Sequence, residues 1–405
     1  MKILFANQFY YHRGGAEKVL LEEIDLLTKS NHTVVPFTRK NCNNYKADVE
    51  SYFPSDIKID EKKFLKQICT GLKLIYSYEC KKQFKLMVDF IKPDLVHAHN
   101  IYGRLTTSIL DVCKKEKIPV VITLHDYKII CPSYLMLSGN EICEKCIGGK
   151  YYNCLLSRCH KNSFSASFVY TLETYFNHFL KKYDTIDYFI CPSLFIMGKF
   201  SEAGIPKNKL VHLPNFIDLN KYNPSYENKN YILFVGRLSK EKGVFTLIKA
   251  VRNLDVNLKI VGDGPLKIEL TKYVKQNLIN NITFEGYKTG IELGEYFKNA
   301  LFVVVPSEWY ENYPMSILES FAYGKPVVGA ELGGIPELVI NGCTGYTFES
   351  GNVKSLKNSI QHMLYDHKSI VQMGKSARNK IEIEHNEKNH LAKLLNIYTR
   401  AMLKL

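Results

Sequence analysis

The sequence has a single tryptophan among 405 residues, no low-complexity segment and no long apolar run. Its longest strongly apolar runs, such as Leu301–Val305, have the length of a β-strand, far below the ~20 residues of a membrane-spanning helix. The apolar residues after Met1-Lys2 are too few for a signal peptide, which predicts a cytoplasmic protein. Hydrophobic residues make up 46% and charged residues 23%. This balance excludes a mainly disordered chain, a collagen-like repeat and a small disulfide scaffold.

Acidic residues are the minority charge: 40 Asp and Glu stand against 54 Lys and Arg, a net charge of +14. Such an excess indicates an anionic partner, which includes nucleic acid, a membrane face and a phosphorylated ligand. Neither end of the chain is a basic tail. The densest basic stretch is Lys58–Lys92, where nine lysines alternate with apolar residues. Two interpretations stay open: an amphipathic helix on an anionic membrane, or a helix pair packed on a sheet with a solvated lysine face.

Short apolar runs alternate with segments of helical periodicity along most of the chain. The predicted strands are Lys2–Ala6, Thr33–Phe37, Leu95–Ala98, Val120–Leu124, Tyr188–Cys191 and Leu210–Leu213, followed by Tyr231–Val235, Leu258–Val261, Ile282–Glu285, Leu301–Val305, Pro326–Ala330 and Gly345–Phe348. These runs are uniformly apolar, as in parallel strands buried on both faces. Strand–helix–strand repetition therefore predicts an α/β fold with doubly wound sheets.

The series restarts after a linker at Leu213-Pro214-Asn215 and a polar stretch. We therefore predict two Rossmann-like domains, at about 1–210 and 211–380, and a C-terminal helix in 381–405 that packs back on the first domain. Ligands of such sheets lie beyond the carboxyl ends of the strands. The two parallel sheets are accordingly expected to face a cleft between the domains.

Two carboxylates follow the strand Leu301–Val305, with Glu311 in a polar loop and Glu319 eight positions later in a helix predicted to begin at Pro314. The backbone N–H groups of 312–316 would point out of the helix start and form an anion site. Glu311 and Glu319 would then bind hydroxyls on either side of a diphosphate. Taken singly, they also fit a solvated loop acid and a helix-surface acid.

A second anion feature follows the strand Tyr231–Val235. Gly236 allows close backbone approach, and Arg237 and Lys242 carry donors suited to phosphate oxygens. The next strand ends in another tight turn, Gly262-Asp263-Gly264-Pro265. Because neither turn reads Gly-x-Gly-x-x-Gly, a dinucleotide fingerprint is not supported.

Taken together, these motifs resemble the family-4 retaining glycosyltransferases of GT-B fold. The matching motifs are Glu-x7-Glu, Gly-Arg-Leu-x-x-x-Lys-Gly, Gly-Asp-Gly-Pro, Phe284-Glu285-Gly286-Tyr287, Gly333-Gly334-Ile335-Pro336-Glu337 and Asn341-Gly342-Cys343-Thr344-Gly345-Tyr346. The resemblance covers nearly the whole chain and is densest over residues 231–350. It implies retaining transfer of a sugar from a nucleoside-diphosphate sugar, of UDP or GDP type, to a hydroxyl of a lipid-linked or polysaccharide-precursor acceptor in surface glycan biosynthesis.

The resemblance also implies roles for individual residues. His125, at the end of a strand, would reach the donor sugar, and Glu311 would bind donor hydroxyls rather than act as a nucleophile. Arg237 and Lys242 would neutralise the diphosphate, so catalysis would need no metal. The donor-binding residues would be Gly14, Gly15, Gly236, Gly262, Tyr287, Asn312, Tyr313, Pro314, Met315 and Glu319. Acceptor contacts, with a structural role as the alternative, would come from His97, His99 and Arg104.

Five of the eleven cysteines gather in a predicted insertion at about 131–160. Cys143-x2-Cys146-x7-Cys154-x4-Cys159 has the spacing of zinc ligands, with His160 as an additional candidate. We therefore predict a structural Zn²⁺ in this insertion. Reduced thiols in an ordered loop, or disulfides, are the alternatives.

Three other functions compete with the leading interpretation: a transferase with a soluble small-molecule acceptor, a zinc-containing nucleic-acid-binding protein, and a non-catalytic relative. The nucleic-acid interpretation lacks a basic strip beside a known reader motif, and Glu311 and Glu319 would repel phosphates. No nucleic-acid partner is therefore expected. Retention of Arg237 and Lys242 opposes the non-catalytic alternative. Under the membrane interpretation of the basic stretch, which stays open beside the packed helix pair, the contact would be peripheral and on the anionic inner face of the cytoplasmic membrane.

Overall fold

A computed structural model describes residues 1–57 and 64–404, without the side chains of 64–69. The strands are β1 (Lys2–Ala6), β2 (Thr33–Phe37), β3 (Leu95–Ala98), β4 (Val120–Thr123), β5 (Leu137–Ser138), β6 (Glu141–Ile142), β7 (Tyr188–Cys191), β8 (Leu210–His212), β9 (Tyr231–Val235), β10 (Asn257–Val261), β11 (Ile282–Gly286), β12 (Val303–Val305), β13 (Val327–Ala330) and β14 (Gly345–Phe348). Each of the twelve predicted strands is present, with ends that differ by at most two residues.

Most helices lie between strands, and the last three follow β14. They are α1 (Gly15–Lys29), α2 (Phe64–Ile75), α3 (Tyr78–Ile91), α4 (Ser108–Glu116), α5 (Tyr152–Leu156), α6 (Phe164–Phe179), α7 (Leu194–Glu202), α8 (Val244–Val251), α9 (Lys267–Gln276), α10 (Gly290–Asn299), α11 (Met315–Ala322), α12 (Ile335–Leu338), α13 (Val353–Tyr365), α14 (His367–Glu384) and α15 (Glu387–Met402). None of these helices, within the described residues, is both long enough and apolar enough to cross a membrane.

The first compact unit comprises Met1–Gly139, Cys143–Pro214 and His390–Leu405. Its six-stranded sheet has the order β2-β1-β3-β4-β7-β8, and every pair of neighbours is parallel. The central strands β3 and β4 are buried along their whole length. This burial on both faces is why their sequences are uniformly apolar apart from His97 and Thr123.

The C-terminal helix α15 contributes to the core of this unit. Its residues Leu394 and Tyr398 belong to one hydrophobic cluster with Ile3 and Phe5 of β1. The unit also extends to Pro214, beyond the predicted boundary at 210, because β8 is the edge strand of its sheet.

The second unit comprises Asn140–Ile142 and Asn215–Asn389. Its six-stranded sheet has the order β11-β10-β9-β12-β13-β14 and is also parallel throughout. The chain runs outward from β9 through β10 to β11, then returns to the other side of β9 with β12. The strand order therefore reverses between β9 and β12, and the carboxyl ends of these two strands flank a crevice of the kind that binds ligands.

The basic stretch Lys58–Lys92 lies partly outside the described residues, which omit 58–63. Its remainder forms α2 and α3, of which α2 packs against α6 and α3 packs against α4. The described part is therefore a packed helix pair rather than one continuous helix.

Candidate functional site

The reversal point of the second sheet brings Lys242 and Glu311 together. Lys242 follows β9 and Glu311 follows β12, and the Lys242 ammonium donates a 2.6 Å hydrogen bond to the Glu311 carboxylate. The hydroxyl of Ser307 donates a second bond to the same oxygen, at 2.7 Å. The Lys242 nitrogen also lies 5.2 Å from the ring centroid of Trp309, within reach of a cation–π interaction. Two predicted site residues, 69 positions apart, thus form one ion pair.

The Glu311 side chain is buried. Burial by itself would raise the pKa of this carboxyl, but the charge of Lys242 and the hydrogen bonds from Lys242 and Ser307 lower it below its ordinary value of 4.5. Glu311 is therefore a carboxylate at neutral pH. An ionised, buried acid with a cation beside it is suited to accept hydrogen bonds from sugar hydroxyls.

Gly243 allows the β9 turn to approach the β12 loop. Its φ is +67°, and a Cβ at this position would lie 1.8 Å from the carbonyl oxygen of Pro306. Next to this contact, the Glu308 amide donates a 2.8 Å bond to the Glu241 carbonyl. The distance between Lys242 and Glu311 is therefore set by backbone packing that only glycine permits.

Gly262 has the same role on the other side of β9. Its φ is +143°, and a Cβ would lie 1.9 Å from the Gly236 carbonyl oxygen. The Gly262 amide donates to the Gly286 carbonyl at 2.8 Å. Gly236 and Gly262 are thus packed backbone against backbone at the carboxyl edge of the sheet. Arg237 and Tyr287, in the adjoining turns, are exposed at this edge.

The loop 312–315 differs from its prediction in two respects. Helix α11 begins at Met315, and Pro314 is the residue before it, with φ −70° and ψ 117°, so the predicted start at Pro314 is one residue early. Tyr313 points inward, with its hydroxyl 3.3 Å from the His385 ring, so a ligand would meet its backbone rather than its ring. Asn312 is buried, and Glu319 lies half-buried in α11.

In the first unit, Gly14 and Gly15 are exposed at the start of α1. Three residues beyond Gly14, Glu17 is buried although no role was predicted for it. Burial raises its pKa, while hydrogen bonds from nearby backbone amides and from Asn7, and the charge of Arg13, oppose the shift. Glu at the third helical position is only the acidic half of a capping box, since the N-cap is Gly14 and has no side chain, so the sequence carried a weak signal for Glu17.

His125 lies half-buried after β4. Its Nε2 is 2.8 Å from Nδ1 of His99, and the two rings are stacked. His97 and His99 are 0% and 1% exposed, which favours the structural alternative for these two residues, and their contact with an acceptor stays a prediction. Arg104 keeps partial exposure, with its guanidinium 2.5 Å from the Asp56 carboxylate.

Glu23 was missed by sequence reasoning. It is 1% exposed in α1 and lies 3.5 Å from His99 and 3.7 Å from His97. Its side chain continues the apolar stripe of the helix, between Leu20 and Leu27. A carboxylate at an apolar position of the helical pattern was the available signal.

The predicted zinc ligands are only partly gathered. Cys146 and Cys154 are buried together, with Cys159 packed against them. Burial and the neighbouring thiols of Cys131, Cys159 and Cys143 raise the pKa of Cys146 to about 12. A hydrogen bond from the Cys154 thiol lowers the pKa of Cys159 to about 6. Within the described chain, the only three potential ligands whose donor atoms all lie within 4.8 Å of one another are Glu23, His97 and His99. The cysteines therefore do not form a closed four-thiolate site, and zinc stays a prediction that metal analysis tests.

Comparison with known families gives two matches along the chain. Residues 13–221 match the family described as Glycosyltransferase Family 4, and residues 216–380 match Glycosyl transferases group 1. The first match covers more than half of the chain. Both agree with the motifs at the carboxyl edges of the two sheets.

The individual relatives have low sequence identity to this chain, and the length of the match differs between them. An uncharacterised glycosyltransferase of Methanocaldococcus jannaschii is 25% identical over 93% of this chain and 92% of its own length. A lipopolysaccharide 1,2-N-acetylglucosaminetransferase of Salmonella typhimurium is 29% identical over 44% of this chain and 53% of its own length. The solved structure of Anabaena HepE with UDP and glucose matches with a TM-score of 0.69 and 20% identity, covering 99% of this chain and 100% of that one.

Proposed function

Because this chain belongs to glycosyltransferase family 4, with the predicted GT-B fold, we propose that it is a retaining enzyme whose donor is a UDP-sugar and whose acceptor is a lipid-linked or polysaccharide-precursor hydroxyl. The ion pair between Lys242 and Glu311 at the reversal point of the second sheet carries the donor half of the proposal. It joins a phosphate-binding cation to a hydroxyl-binding carboxylate at the position where parallel sheets bind ligands.

In the proposed donor complex, Lys242 and exposed Arg237 bind the diphosphate. Lys242 is held by Glu311 in the free protein, and its three donors let it bind a phosphate oxygen as well. The first amides of α11 face the same crevice and favour negative charge. Glu311 binds hydroxyls of the sugar, and Glu319, further along α11, binds those of the ribose.

The proposed reaction breaks the bond from the sugar C1 to the diphosphate oxygen and forms a bond from C1 to the acceptor oxygen on the same face. The acceptor proton passes to the departing diphosphate oxygen. Glu311 is already engaged by Lys242 and Ser307, which favours a binding role over nucleophilic attack. The cations and the helix terminus stabilise the growing negative charge, so we propose no metal for this step.

UDP is proposed as the nucleotide because the similar Anabaena structure was solved with UDP and glucose. Tyr287, 65% exposed after β11, is the aromatic residue available for packing a base at this edge. A polysaccharide or lipid-linked acceptor is favoured by the lipopolysaccharide enzyme among the relatives.

The test measures UDP binding by calorimetry and transfer from UDP-sugars to a panel of acceptors. Lys242→Ala should weaken UDP binding by about 10- to 100-fold, the loss expected for one charge-assisted contact. Lys240→Ala, at an exposed lysine in the same turn, is the matched control and should bind normally. Glu311→Gln should reduce transfer far more than UDP binding, because Glu311 is assigned to the sugar.

NMR of the product should show the same anomeric configuration as the donor. Unchanged turnover in both Lys242→Ala and Glu311→Gln would refute the site. An inverted product would refute retention, and transfer to small soluble acceptors alone would replace the proposed acceptor.

We further propose that α6 contacts the membrane that carries the acceptor. Its exposed apolar residues recur every three or four positions and form one face of the helix: Phe164, Phe168, Leu172, Tyr175 and Phe179. Most of its polar residues are buried instead: Ser167, Thr171, Glu173, Thr174 and Asn177. This is the inverse of the usual surface helix, and an outward apolar face indicates a binding surface.

Several residues of the inward polar face of α6 bond to other elements of the first unit. Glu173 forms a 2.5 Å ion pair with Lys128, and Asn177 accepts a 2.6 Å bond from Thr107. The helix is therefore fixed in this orientation. Exposed Arg158, Lys161 and Lys181 flank its two ends. Apolar side chains flanked by cations suit an anionic lipid surface.

A further inference from the structure

A buried polar network lies behind His125 in the first unit. His125 Nε2 is 2.8 Å from His99 Nδ1, and His99 Nε2 is 3.5 Å from the Oε2 of Glu23. The other Glu23 oxygen is 3.0 Å from Nε2 of His390 in α15. The network thus runs from half-buried His125 inward to a buried carboxylate.

His125 and His99 are neutral at physiological pH. Burial lowers the pKa of His125 to about 4, and it holds the pKa of His99 well below the ordinary value of 6.5. For Glu23, burial alone would raise the pKa, but the hydrogen bond with His390 lowers it. A neutral imidazole carries one hydrogen on one of two nitrogens, so the partners of each ring decide which nitrogen carries it.

Two atoms of this network lack hydrogen-bond partners within the described residues: Glu23 Oε2 and His99 Nε2. They face each other at 3.5 Å, and a small rotation of either side chain closes the contact. A carboxylate only accepts, so His99 Nε2 must carry the hydrogen. His99 Nδ1 is then an acceptor, and the hydrogen of its bond to His125 must come from His125 Nε2.

We propose that Glu23 and His99 are positioning residues that hold His125 as the Nε2–H tautomer, with Nδ1 as its acceptor atom. The inference rests on the proposed function and on the role that the family resemblance implies for His125, which is contact with the donor sugar. With Nδ1 fixed as the acceptor atom, His125 would accept a hydrogen bond from a hydroxyl of the donor sugar. A third group that sets the orientation and tautomer of an active histidine is an established catalytic arrangement.

The same residues are poorly arranged for a metal. His97 would be the third ligand beside Glu23 and His99, but both of its ring nitrogens are engaged. Its Nδ1 lies 2.7 Å from the Tyr398 hydroxyl and its Nε2 lies 2.8 Å from the Thr123 hydroxyl. His97 therefore buttresses the network without contacting His125 through a ring nitrogen.

The test is long-range ¹H–¹⁵N NMR of the free full-length protein with labelled histidine, which reports the nitrogen that carries each hydrogen. His125→Gln assigns the His125 signals by their loss. The expected wild-type spectrum shows His125 with its hydrogen on Nε2. A hydrogen on Nδ1, an even mixture, or a stoichiometric metal in the purified protein would overturn the proposal.

Three variants sharpen this test. In His99→Asn, His125 should no longer hold a single tautomer, whereas His97→Asn, at an equally buried position two residues earlier in β3, should preserve it. Glu23→Leu removes the acceptor and should also yield a mixture. Glu23→Gln should rescue the Nε2–H form, since its amide oxygen still accepts from His99. Its NH₂ then faces His390 Nε2, which accepts when the His390 hydrogen is on Nδ1, beside the Pro214 carbonyl. An unchanged His125 spectrum in His99→Asn refutes the positioning role of His99 and Glu23, even if Glu23→Leu does not fold.

Kinetics separate this inference from the proposed function. Glu23→Leu should lower kcat by about tenfold, the effect of one lost hydrogen bond in the transition state, with little change in the KM for the donor. Glu23→Gln should retain most of the wild-type kcat. If the spectra behave as expected but His125→Gln leaves turnover intact, the tautomer assignment stands and the assigned role of His125 fails. If UDP binds but the spectra do not show His125 with its hydrogen on Nε2, only the positioning role of Glu23 and His99 fails.

Discussion

At the residue scale, the donor site depends on glycines whose role is steric rather than chemical. Lys242 and Glu311 meet only because the β9 turn touches the β12 loop at Gly243. A left-handed φ is costly for other residues, by roughly 1–2 kcal/mol. A Cβ that clashes with a neighbouring backbone adds a second free-energy cost. The chain has glycines that separate this clash from the cost of a positive φ.

We expect Gly243→Ala to reduce both thermal stability and UDP binding, because its Cβ would lie 1.8 Å from the Pro306 oxygen. Gly290→Ala is the matched control, since its φ is also positive, at +56°, but a Cβ there has no neighbour within 4 Å. Thermal denaturation measures the stability of each variant and calorimetry measures its UDP binding. The difference between the two variants gives the cost of the close contact with Pro306. Equal losses in both would mean that backbone strain, not close approach, matters at Gly243.

At the element scale, α6 is the clearest departure from ordinary patterning. Periodicity alone identifies an amphipathic helix here but assigns the apolar side to the core. The structure turns the polar side inward, because Glu173 pairs with buried Lys128 and Asn177 bonds with Thr107. The outward aromatic face is then the basis for membrane contact.

Phe168→Glu and Phe179→Glu each place a charge on the outward apolar face of α6, at side chains that are 48% and 86% exposed. Each change should weaken binding to phosphatidylglycerol–phosphatidylcholine vesicles by about tenfold, as expected when an apolar side chain no longer leaves water. Vesicle co-sedimentation measures the effect.

The control is Ile268→Glu, which changes an 84% exposed apolar residue on α9 of the second unit. It should bind vesicles like wild type. Wild-type binding by both phenylalanine variants, or equal losses in all three proteins, would exclude α6 as a specific membrane face.

At the scale of the whole molecule, the chain forms two units, and its C-terminal end belongs to the first. Leu394 and Tyr398 of α15 share a core with β1, nearly the full length of the chain away. His390 also reaches Glu23 across 367 positions. The C-terminal helix therefore supports both the core of the first unit and the network behind His125.

Leu394→Ala should destabilise the first unit by about 2–5 kcal/mol, the usual cost of a cavity at a fully buried leucine. Hydrogen exchange should show the loss of protection in β1 and α1. Leu403→Ala, an identical change at an 80% exposed residue just beyond α15, should leave exchange unchanged. Unaltered protection of β1 in Leu394→Ala would contradict a core role for the helix.

The sequence by itself determined the strands, the two parallel sheets and the family, because buried parallel strands are uniformly apolar and the turn motifs are local. It also identified Lys242 and Glu311 as site residues without showing that they touch. Only tertiary structure decided that pair, the burial of His97 and His99, the inward polar face of α6 and the contact of Glu23 with His390. These features join residues distant in sequence, so packing, rather than local periodicity, decides them.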